Sequence, residues 1–275
     1  MNEVATLSPV TSRHDRPFVL TKEYRRFEEF CEACRRERYI GVCYGPPGVG
    51  KTVSARHYAQ WDLLEGQDPL DQNTVVPMEV AGCRTLLFTP RVSNTPRLVR
   101  EQIEHGRLML RSLVGRAEHD AMSSERPDFS ERCELILVDE ADRLTTQSLE
   151  ELRDHYDREK VGLVLIGMPG LEKRLSRYPQ LYSRIGFAHA FRPLSQEETL
   201  FVLRKHGHGW GQDWNDDDFT DQEALAAITR ITAGNFRLID RLMAQVVRIM
   251  RLNQLNTVNK EVVDAARECL VIGSM

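Results

Sequence analysis

The sequence predicts an α/β domain with a five-stranded parallel sheet, followed by a small all-helical domain. Short apolar runs alternate with helical segments over the first two thirds of the 275 residues, a pattern typical of parallel sheets. After Pro193 the strand pattern stops, and apolar residues recur at helical spacing. These two observations place a domain boundary at about residue 193 and predict an α/β region over 21–193.

The first elements are an arm and a helix. Residues 1–20 are interpreted as a loosely held arm, and the next segment, 21–37, as an amphipathic helix. Cys31 and Cys34 lie at helical spacing with Tyr24 and Phe27, so this pair is assigned to the core; no second pair follows to complete a metal site. Five apolar runs are predicted to form the strands: 39–44, 85–88, 135–138, 161–167 and 187–191.

Residues 194–275 are predicted to form helices only. Ser195 with Glu198, and Thr220 with Glu223, have the spacing of a capping box, so a helix is expected to begin at each. A last helix is expected from Asn259 to about residue 270. Two histidines, His206 and His208, are possible metal ligands, but a glycine-rich turn explains them more simply.

The composition describes an ordinary globular protein. There are 37 basic and 41 acidic side chains, giving a formal net charge of −4, and hydrophobic residues make up 41%. The six cysteines are interpreted as reduced thiols. No apolar run approaches the ~20 residues that span a bilayer, and the N-terminus lacks the apolar core of a signal peptide, so we expect a cytoplasmic protein without a membrane partner.

The strongest motif is a phosphate-binding loop after the first predicted strand. Residues 45–52 read GPPGVGKT and fit the pattern GxxxxGK[ST] between a strand and a helix. Glycines allow backbone N–H groups to face phosphate oxygens, Lys51 reaches the outer phosphates, and Thr52 is a ligand for Mg²⁺. The alternative is a glycine turn with a surface lysine. The predicted nucleotide contacts in this segment are Gly45, Pro46, Pro47, Gly48, Val49, Gly50, Lys51, Thr52 and Val53.

A second motif is the buried strand LILV, which ends in Asp139 and Glu140. Asp139 is predicted to hold Mg²⁺ with Thr52, and Glu140 to polarise water. A carboxylate in addition to the metal ligand is needed for hydrolysis of the nucleotide but not for phosphoryl transfer to a bound substrate. Glu140 therefore favours an ATPase over a kinase. The alternative is an acid pair that caps the next helix. Residues 139–142 read DEAD, but a helicase needs two such domains and the chain is too short.

Together these motifs resemble the AAA+ ATPases. In that family the helical domain is a lid over the nucleotide, and the resemblance implies two arginine roles. Arg237, in the segment GNFR, is similar to the sensor-2 arginine that contacts the nucleotide. Arg184, just before the fifth strand, occupies the place of an arginine finger that acts on a neighbouring subunit, and Arg177 is the second candidate.

Within the AAA+ class, the segments DEADRL, LIGMP and GNFR are similar to the TnsC, TniB and MuB transposition regulators. This resemblance implies ATP-dependent assembly of a homo-oligomeric ring or filament on duplex DNA, which recruits a transposase and a target-selection protein. One departure is Met168, which stands where relatives carry a polar sensor-1 residue, so sensor 1 stays unassigned. The alternative function is an AAA+ protein-remodelling or secretion-associated ATPase that does not bind DNA.

A local basic segment is the predicted DNA contact. Residues 84–116 contain seven arginines and two acidic residues. Arg97, Arg100, Arg107 and Arg111 have the spacing of a stripe along one helix face. Relatives place the corresponding helix and loop along the DNA, so the resemblance implies backbone contacts without sequence preference from Arg91, Arg97 and Arg100. A solvated helix face or a subunit contact is the alternative.

Overall fold

A computed structural model of the chain describes residues 18–68, 75–122, 132–210 and 212–270. It divides into two compact units. The α/β unit comprises Tyr24–Pro47 and Lys51–Phe191, and the helical unit comprises residues 18–23, Gly48–Gly50 and residues 192–270. The boundary after Phe191 lies two residues before the expected one, and most of the predicted arm lies outside the described residues.

The α/β unit is built on the predicted parallel sheet. Its five strands run in the order β2-β3-β4-β1-β5, and all neighbouring pairs are parallel. The prediction of five parallel strands is confirmed, with shifts of one or two residues at the ends of β1, β4 and β5. The bounds are β1 Ile40–Tyr44, β2 Thr85–Phe88, β3 Leu135–Val138, β4 Gly162–Gly167 and β5 Ile185–Ala190.

Burial explains which strands the sequence shows most clearly. Every residue of β2, β3 and β4 is buried, as expected for strands covered on both faces, whereas β5 alternates between partly buried and exposed residues at the sheet edge. Because parallel strands end at the same edge, β1 and β3 bring the segments after Tyr44 and Val138 to one side of the sheet. This carboxyl edge carries both predicted motifs.

Helices connect these strands. In α1, Phe27, Cys31 and Cys34 are fully buried, as their spacing predicts, and burial raises the pKa of the Cys34 thiol to about 12. The α-helices of this region are α1 Lys22–Glu37, α2 Lys51–Tyr58, α3 Trp61–Leu64, α4 Pro96–Met122, α5 Thr146–Glu159, α6 Leu171–Leu175 and α7 Pro179–Tyr182, with 3-10 turns at Met78–Gly82 and Ala141–Arg143.

The helical unit contains α8 Gln196–His206, α9 Phe219–Thr232, α10 Phe236–Leu252 and α11 Lys260–Glu268, with a 3-10 turn at Gly207–Trp210. The capping box of α8 is present, with Ser195 and Glu198 accepting each other's backbone N–H. The predicted box at Thr220 is wrong. The N-cap of α9 lies two residues earlier, at Asp218, whose carboxylate accepts the Thr220 N–H at 2.7 Å.

Two residues, Val19 and His206, are buried in the helical unit, which the sequence interpretation did not predict. Val19, assigned to the loose arm, is buried with Leu194 and the apolar faces of the four helices, so the arm interpretation fails for this residue. His206 is also buried and packs against the rings of Trp210 and Phe236. Within the described ranges, no group of three or more His, Cys, Asp or Glu residues has the arrangement of a metal site.

No helix in the described part of the chain is both long and apolar enough to cross a bilayer.

Candidate nucleotide site

The phosphate-binding loop joins the end of β1 to the start of α2, as the motif requires. Gly48 and Gly50 have φ angles of 81° and 109°, which residues with a Cβ atom rarely adopt. Gly45 is needed for another reason, because a Cβ there would overlap the backbone carbonyl of Phe191. The loop therefore turns tightly enough to direct N–H groups towards an anion at the start of a helix.

Lys51 is the first residue of α2, and its ammonium lies against the loop. Its Nζ donates to the carbonyl oxygens of Gly45 at 2.6 Å and of Pro46 at 2.8 Å. Val49 is buried, whereas the side chain of Val53 is about half exposed in the first turn of α2. The lysine charge therefore lies beside the backbone of the loop that precedes the helix.

The predicted metal ligands lie together. Thr52 Oγ1 donates to Asp139 Oδ2 at 2.7 Å, although the two residues are 87 positions apart. Asp139 is 4% exposed, and burial raises the pKa of its carboxyl, partly offset by hydrogen bonds from Thr52 and the Glu140 N–H. A buried carboxylate of this kind favours a nearby cation, which stabilises its charged form.

These two oxygen donors fit Mg²⁺. That ion is held in nucleotide sites by one or two protein ligands together with water and substrate phosphates. A hydroxyl and a carboxylate in contact, with Lys51 at the start of the same helix as Thr52, match this donor set. Thr52 and Asp139 would hold the ion, which would neutralise charge on the phosphates.

Glu140 follows Asp139 with a left-handed backbone conformation, φ 52°. Its carboxylate is about half exposed and is ion-paired with the guanidinium of Arg143, three residues later in the same 3-10 turn. The sequence interpretation did not identify Arg143, which contacts the predicted water-activating group directly.

Arg184 and Arg177 lie before β5 and differ in their contacts. Arg184 Nε donates to Asp157 Oδ1 at 2.6 Å, and this bond lowers the pKa of the Asp157 carboxyl. The Arg184 carbonyl accepts the N–H of Ile40, at the beginning of β1. Arg184 therefore lies at the amino edge of the sheet, opposite the phosphate-binding loop. Arg177 is exposed, and its side chain has no hydrogen-bond or ion-pair partner in the described residues.

Arg237 lies in the first turn of α10, which Asn235 caps by accepting the N–H of Leu238 at 3.1 Å. Its side chain is exposed, and its backbone N–H donates to the carbonyl of Gly48 at 3.0 Å within the helical unit. This contact joins Arg237 of the GNFR segment to Gly48 within the helical unit.

At the predicted sensor-1 position, Met168 is 41% exposed and offers only its backbone. Its N–H donates to Asp142 Oδ2 at 2.7 Å. The polar group at the end of β4 is therefore the carboxylate of Asp142, which belongs to the DEAD segment. The sequence pattern alone does not show that this residue lies beside Met168.

The predicted arginine stripe on α4 is largely neutralised by acidic residues. Arg107 is buried, contacting His155 at 3.1 Å and Glu159 at 3.1 Å, so the interpretation of a solvent-facing stripe is wrong at this position. Burial and Arg107 lower the pKa of His155. Arg100 lies 3.6 Å from Glu151, and Arg97 is paired with Glu101 at 2.7 Å.

At Arg100 and Arg107 the physical reason is that the acids come from α5. Glu151 and Glu159 lie 35 and 43 residues beyond Arg116, so a count over residues 84–116 does not include them. Of the three predicted DNA contacts, Arg97 remains mostly exposed, Arg100 is about half exposed, and Arg91 is exposed without an ion-pair partner among the described residues.

The fold and these contacts define a P-loop nucleoside-triphosphate-binding protein. Residues 34–175 match the AAA domain family, just over half of the chain, so the chain belongs to that family. It is 45% identical over 268 residues to a potential ATP-binding protein of Staphylococcus aureus, a match that covers 93% of this chain and 97% of the relative. The chain is an ATPase of the AAA+ class.

Two further relatives confirm the resemblance to the MuB group. The Mu-like prophage FluMu DNA transposition protein B of Haemophilus influenzae is 24% identical over 241 residues, covering 82% of this chain and 71% of the relative. The ATP-dependent target DNA activator B of Escherichia phage Mu is 31% identical over 156 residues, covering 53% of this chain and 42% of the relative.

Among solved structures, the Thermotoga maritima RuvB Holliday junction branch migration motor is similar in fold. The TM-score is 0.58 at 16% identity, covering 92% of this chain and 70% of RuvB. At this identity the similarity supports the fold alone.

Proposed function

We propose that this chain is an ATP-switched regulator of DNA transposition that assembles on duplex DNA as a homo-oligomer and recruits a transposase and a target-selection protein. The ATPase part is supported by the contact of Thr52 with Asp139 at the start of the Lys51 helix. The transposition part is supported by the two relatives described as a DNA transposition protein and a target DNA activator.

In this proposal Lys51 and the loop N–H groups hold the phosphates, and Thr52 and Asp139 hold Mg²⁺. Glu140 accepts a proton from the attacking water, and Arg237 contacts the nucleotide from the helical unit. Bound Mg²⁺ supplies charge neutralisation on the phosphates. Glu140→Gln is therefore expected to bind ATP normally and to hydrolyse it slowly; normal hydrolysis by this variant would remove Glu140 from the role.

Arg184 is proposed to act on the nucleotide of a neighbouring protomer. It lies at the opposite edge of the sheet from its own phosphate-binding loop, about five strand residues or ~16 Å away along β1. Such an arginine raises the rate of phosphoryl transfer by about 10³- to 10⁵-fold in related enzymes. Arg177, which is exposed and unpaired in the described residues, is the substitute if Arg184 keeps its bond to Asp157.

DNA binding is assigned first to Arg91, then to Arg97 and Arg100. The test is retention on random duplex DNA with Mg·ATP over a range of salt concentrations. Each phosphate contact contributes about −0.9 to the slope of log affinity against log salt. Arg91→Glu is expected to weaken retention and to reduce the slope.

Arg158→Glu is the matched control, because Arg158 is also an exposed arginine but lies on α5 and pairs with Asp154. Equal retention of wild type and Arg91→Glu would remove this residue from the interface. Assembly with Mg·ATP but without any retention on DNA would favour a protein-directed AAA+ ATPase. A transposase that binds the assembled form no better than the nucleotide-free protein would contradict the recruitment step.

A further inference from the structure

The exposed face of α10 carries a row of arginines. Starting from Arg237, exposed positions recur after four, three, four and three residues, at Arg241, Ala244, Arg248 and Arg251. A helix turns by about 100° per residue, so these positions lie within an arc of about 80°. The opposite face of α10 is buried in the core of the helical unit. The arginines therefore form a stripe along the solvent side of the helix.

These arginines are not neutralised as those of α4 are. Arg241 and Arg251 have no hydrogen-bond or ion-pair partner in the described residues, where Arg248 donates to the amide oxygen of Gln245 at 3.4 Å. Helix α10 contains four arginines and a single acidic residue, Asp240, in a chain whose net charge is −4. The positive charge of this face is therefore available to an external anion.

The composition of the face favours a phosphate backbone over a protein surface. Arginine binds phosphate and carboxylate oxygens through the same planar fork, so charge alone admits both. Protein interfaces also need a buried aromatic or apolar centre, whereas Ala244 and Gln245 lie between the arginines, and α10 has no aromatic residue after Phe236. Contacts with a nucleic-acid backbone need positive charge only, and the lack of aromatic residues disfavours stacking on single-stranded bases.

The length of the stripe suits a duplex. Arg241 and Arg251 are ten residues apart, or about 15 Å along the helix. Each strand of a duplex carries one phosphate per about 3.4 Å of its axis, which makes about four phosphates over this length. Three guanidinium groups on one face can therefore contact separate phosphates.

We propose that Arg241, Arg248 and Arg251 form a second DNA-binding surface, through which the helical unit contacts the phosphate backbone of duplex DNA. This inference rests on the proposed function, in which the chain binds duplex DNA, and adds a surface outside the α/β unit. Arg237 is not included, because it is assigned to the nucleotide. Contacts with phosphates add affinity and salt dependence without sequence preference.

The test measures affinity for random duplex DNA with Mg·ATP over a range of salt concentrations, by fluorescence anisotropy of the labelled duplex. Each phosphate contact contributes about −0.9 to the slope of log affinity against log salt. Arg248→Gln is expected to make the slope less steep by about 0.9 and to weaken binding roughly five- to tenfold at about 0.1 M salt. A triple variant, with Arg241→Gln and Arg251→Gln added, is expected to lose about 2.7 of the slope. An unchanged slope in both variants would overturn the proposal.

Arg25→Gln is the matched control. Arg25 is also exposed without an ion-pair partner in the part of the chain that the structure describes, but it lies on α1 in the α/β unit. Its slope and affinity are expected to equal those of wild type. An equal loss in Arg25→Gln would indicate a general effect of net charge and would refute the assignment to α10.

The same triple variant tests whether the stripe faces a second copy of the chain instead. Its sedimentation with Mg·ATP and without DNA is expected to match that of wild type, because the proposed surface contacts DNA and not a neighbouring protomer. Reduced assembly without DNA would contradict the proposal.

A crosslinking measurement keeps all the arginines in place. Ala244 lies between Arg241 and Arg248 on the exposed face, and Cys269 is exposed whereas the other five cysteines are buried. Ala244→Cys in a Cys269→Ser background therefore provides one accessible thiol for an azide photo-crosslinker. Crosslinking to random duplex DNA is expected from this position and not from Arg25→Cys in the same background. Equal yields at the two positions, or no crosslink from Ala244→Cys, would refute the surface.

Failure of this inference is distinguishable from failure of the proposed function. If wild type binds duplex DNA and Arg91→Glu weakens binding, but the triple α10 variant binds as wild type does, the surface on the helical unit is refuted and the DNA step stands. If wild type is not retained on duplex DNA, the DNA step of the proposed function is wrong, and this surface with it.

Discussion

Replacing Asp139 by asparagine separates the metal-binding role of this carboxylate from its effect on the fold. Asp139 is 4% exposed, and burial raises the pKa of its carboxyl. Its folded state therefore binds a proton more tightly than the unfolded chain does. The resulting contribution to stability is present at low pH and is lost as pH rises from the unfolded value of about 3.9 through the higher folded pKa.

Asp139→Asn removes this loss while keeping an oxygen that accepts the hydrogen bond from Thr52 Oγ1. Without nucleotide at pH 7 we expect a melting temperature equal to or above that of wild type. We also expect a weaker dependence of stability on pH above about 4, because the titrating group is gone.

With Mg·ATP the order is expected to reverse. Ligand at 100 times its Kd stabilises a protein by about 2.7 kcal/mol. An unfolding entropy of about 2.1 cal/mol/K per residue makes this about 5 °C in Tm for a chain of 275 residues. Wild type is therefore expected to gain about 5 °C, and Asp139→Asn little or nothing.

The measurement is thermal unfolding with Mg·ATP, with ATP and EDTA, and without ligand. Asp154→Asn is the control, since Asp154 is a surface carboxylate paired with Arg158 on α5 and lies outside the nucleotide site. Two results would refute the reasoning: a full Mg·ATP shift in Asp139→Asn, or a nucleotide-free melting temperature clearly below that of wild type.

Three further changes test other parts of the structure. Gly45→Ala is expected to cost ~1–3 kcal/mol in denaturant unfolding and to weaken ATP binding, because the new methyl overlaps the Phe191 carbonyl; wild-type affinity would contradict this. Arg184→Ala is expected to leave ATP binding intact and abolish assembly-stimulated turnover, measured against protein concentration. Arg107→Met is expected to cost up to about 1 kcal/mol of stability, because its partner Glu159 is partly exposed, with DNA retention unchanged; loss of retention at unchanged stability would instead place Arg107 in the DNA interface.

Most of the fold could be predicted from local sequence patterns. The strands β2 and β3 lie where the sequence predicts them, because each is a continuous apolar run buried on both faces. The phosphate-binding loop and the strand ending in Asp139 were likewise predictable, since their residue types are dictated by backbone geometry and charge. Thr52 and Asp139 lie in contact because parallel strands end at one edge.

Contacts between distant segments were not predictable in the same way. The acids that neutralise Arg100 and Arg107 come from α5, and only the packing of α4 on α5 brings them together. Arg143 donates to the carbonyl oxygen of Pro90, in the segment after β2. Because that acceptor is a backbone atom, the residue type at position 90 does not predict the contact. The burial of Val19 likewise depends on a tertiary contact.

In the proposed function, the arrangement of the sheet would tie hydrolysis to assembly. Glu140 follows the carboxyl end of β3, whereas Arg184 contacts the amino end of β1, so no side-chain movement brings both to the same phosphate within one α/β unit. In a single copy of the chain, the Arg184 guanidinium is paired with the Asp157 carboxylate. A neighbour's nucleotide offers a more highly charged acceptor than one carboxylate, and phosphate oxygens suit the guanidinium fork equally well. If Arg184 acts on a neighbour's nucleotide as proposed, exchange of Asp157 for that phosphate would favour the assembled state, and the same exchange would complete the site for hydrolysis.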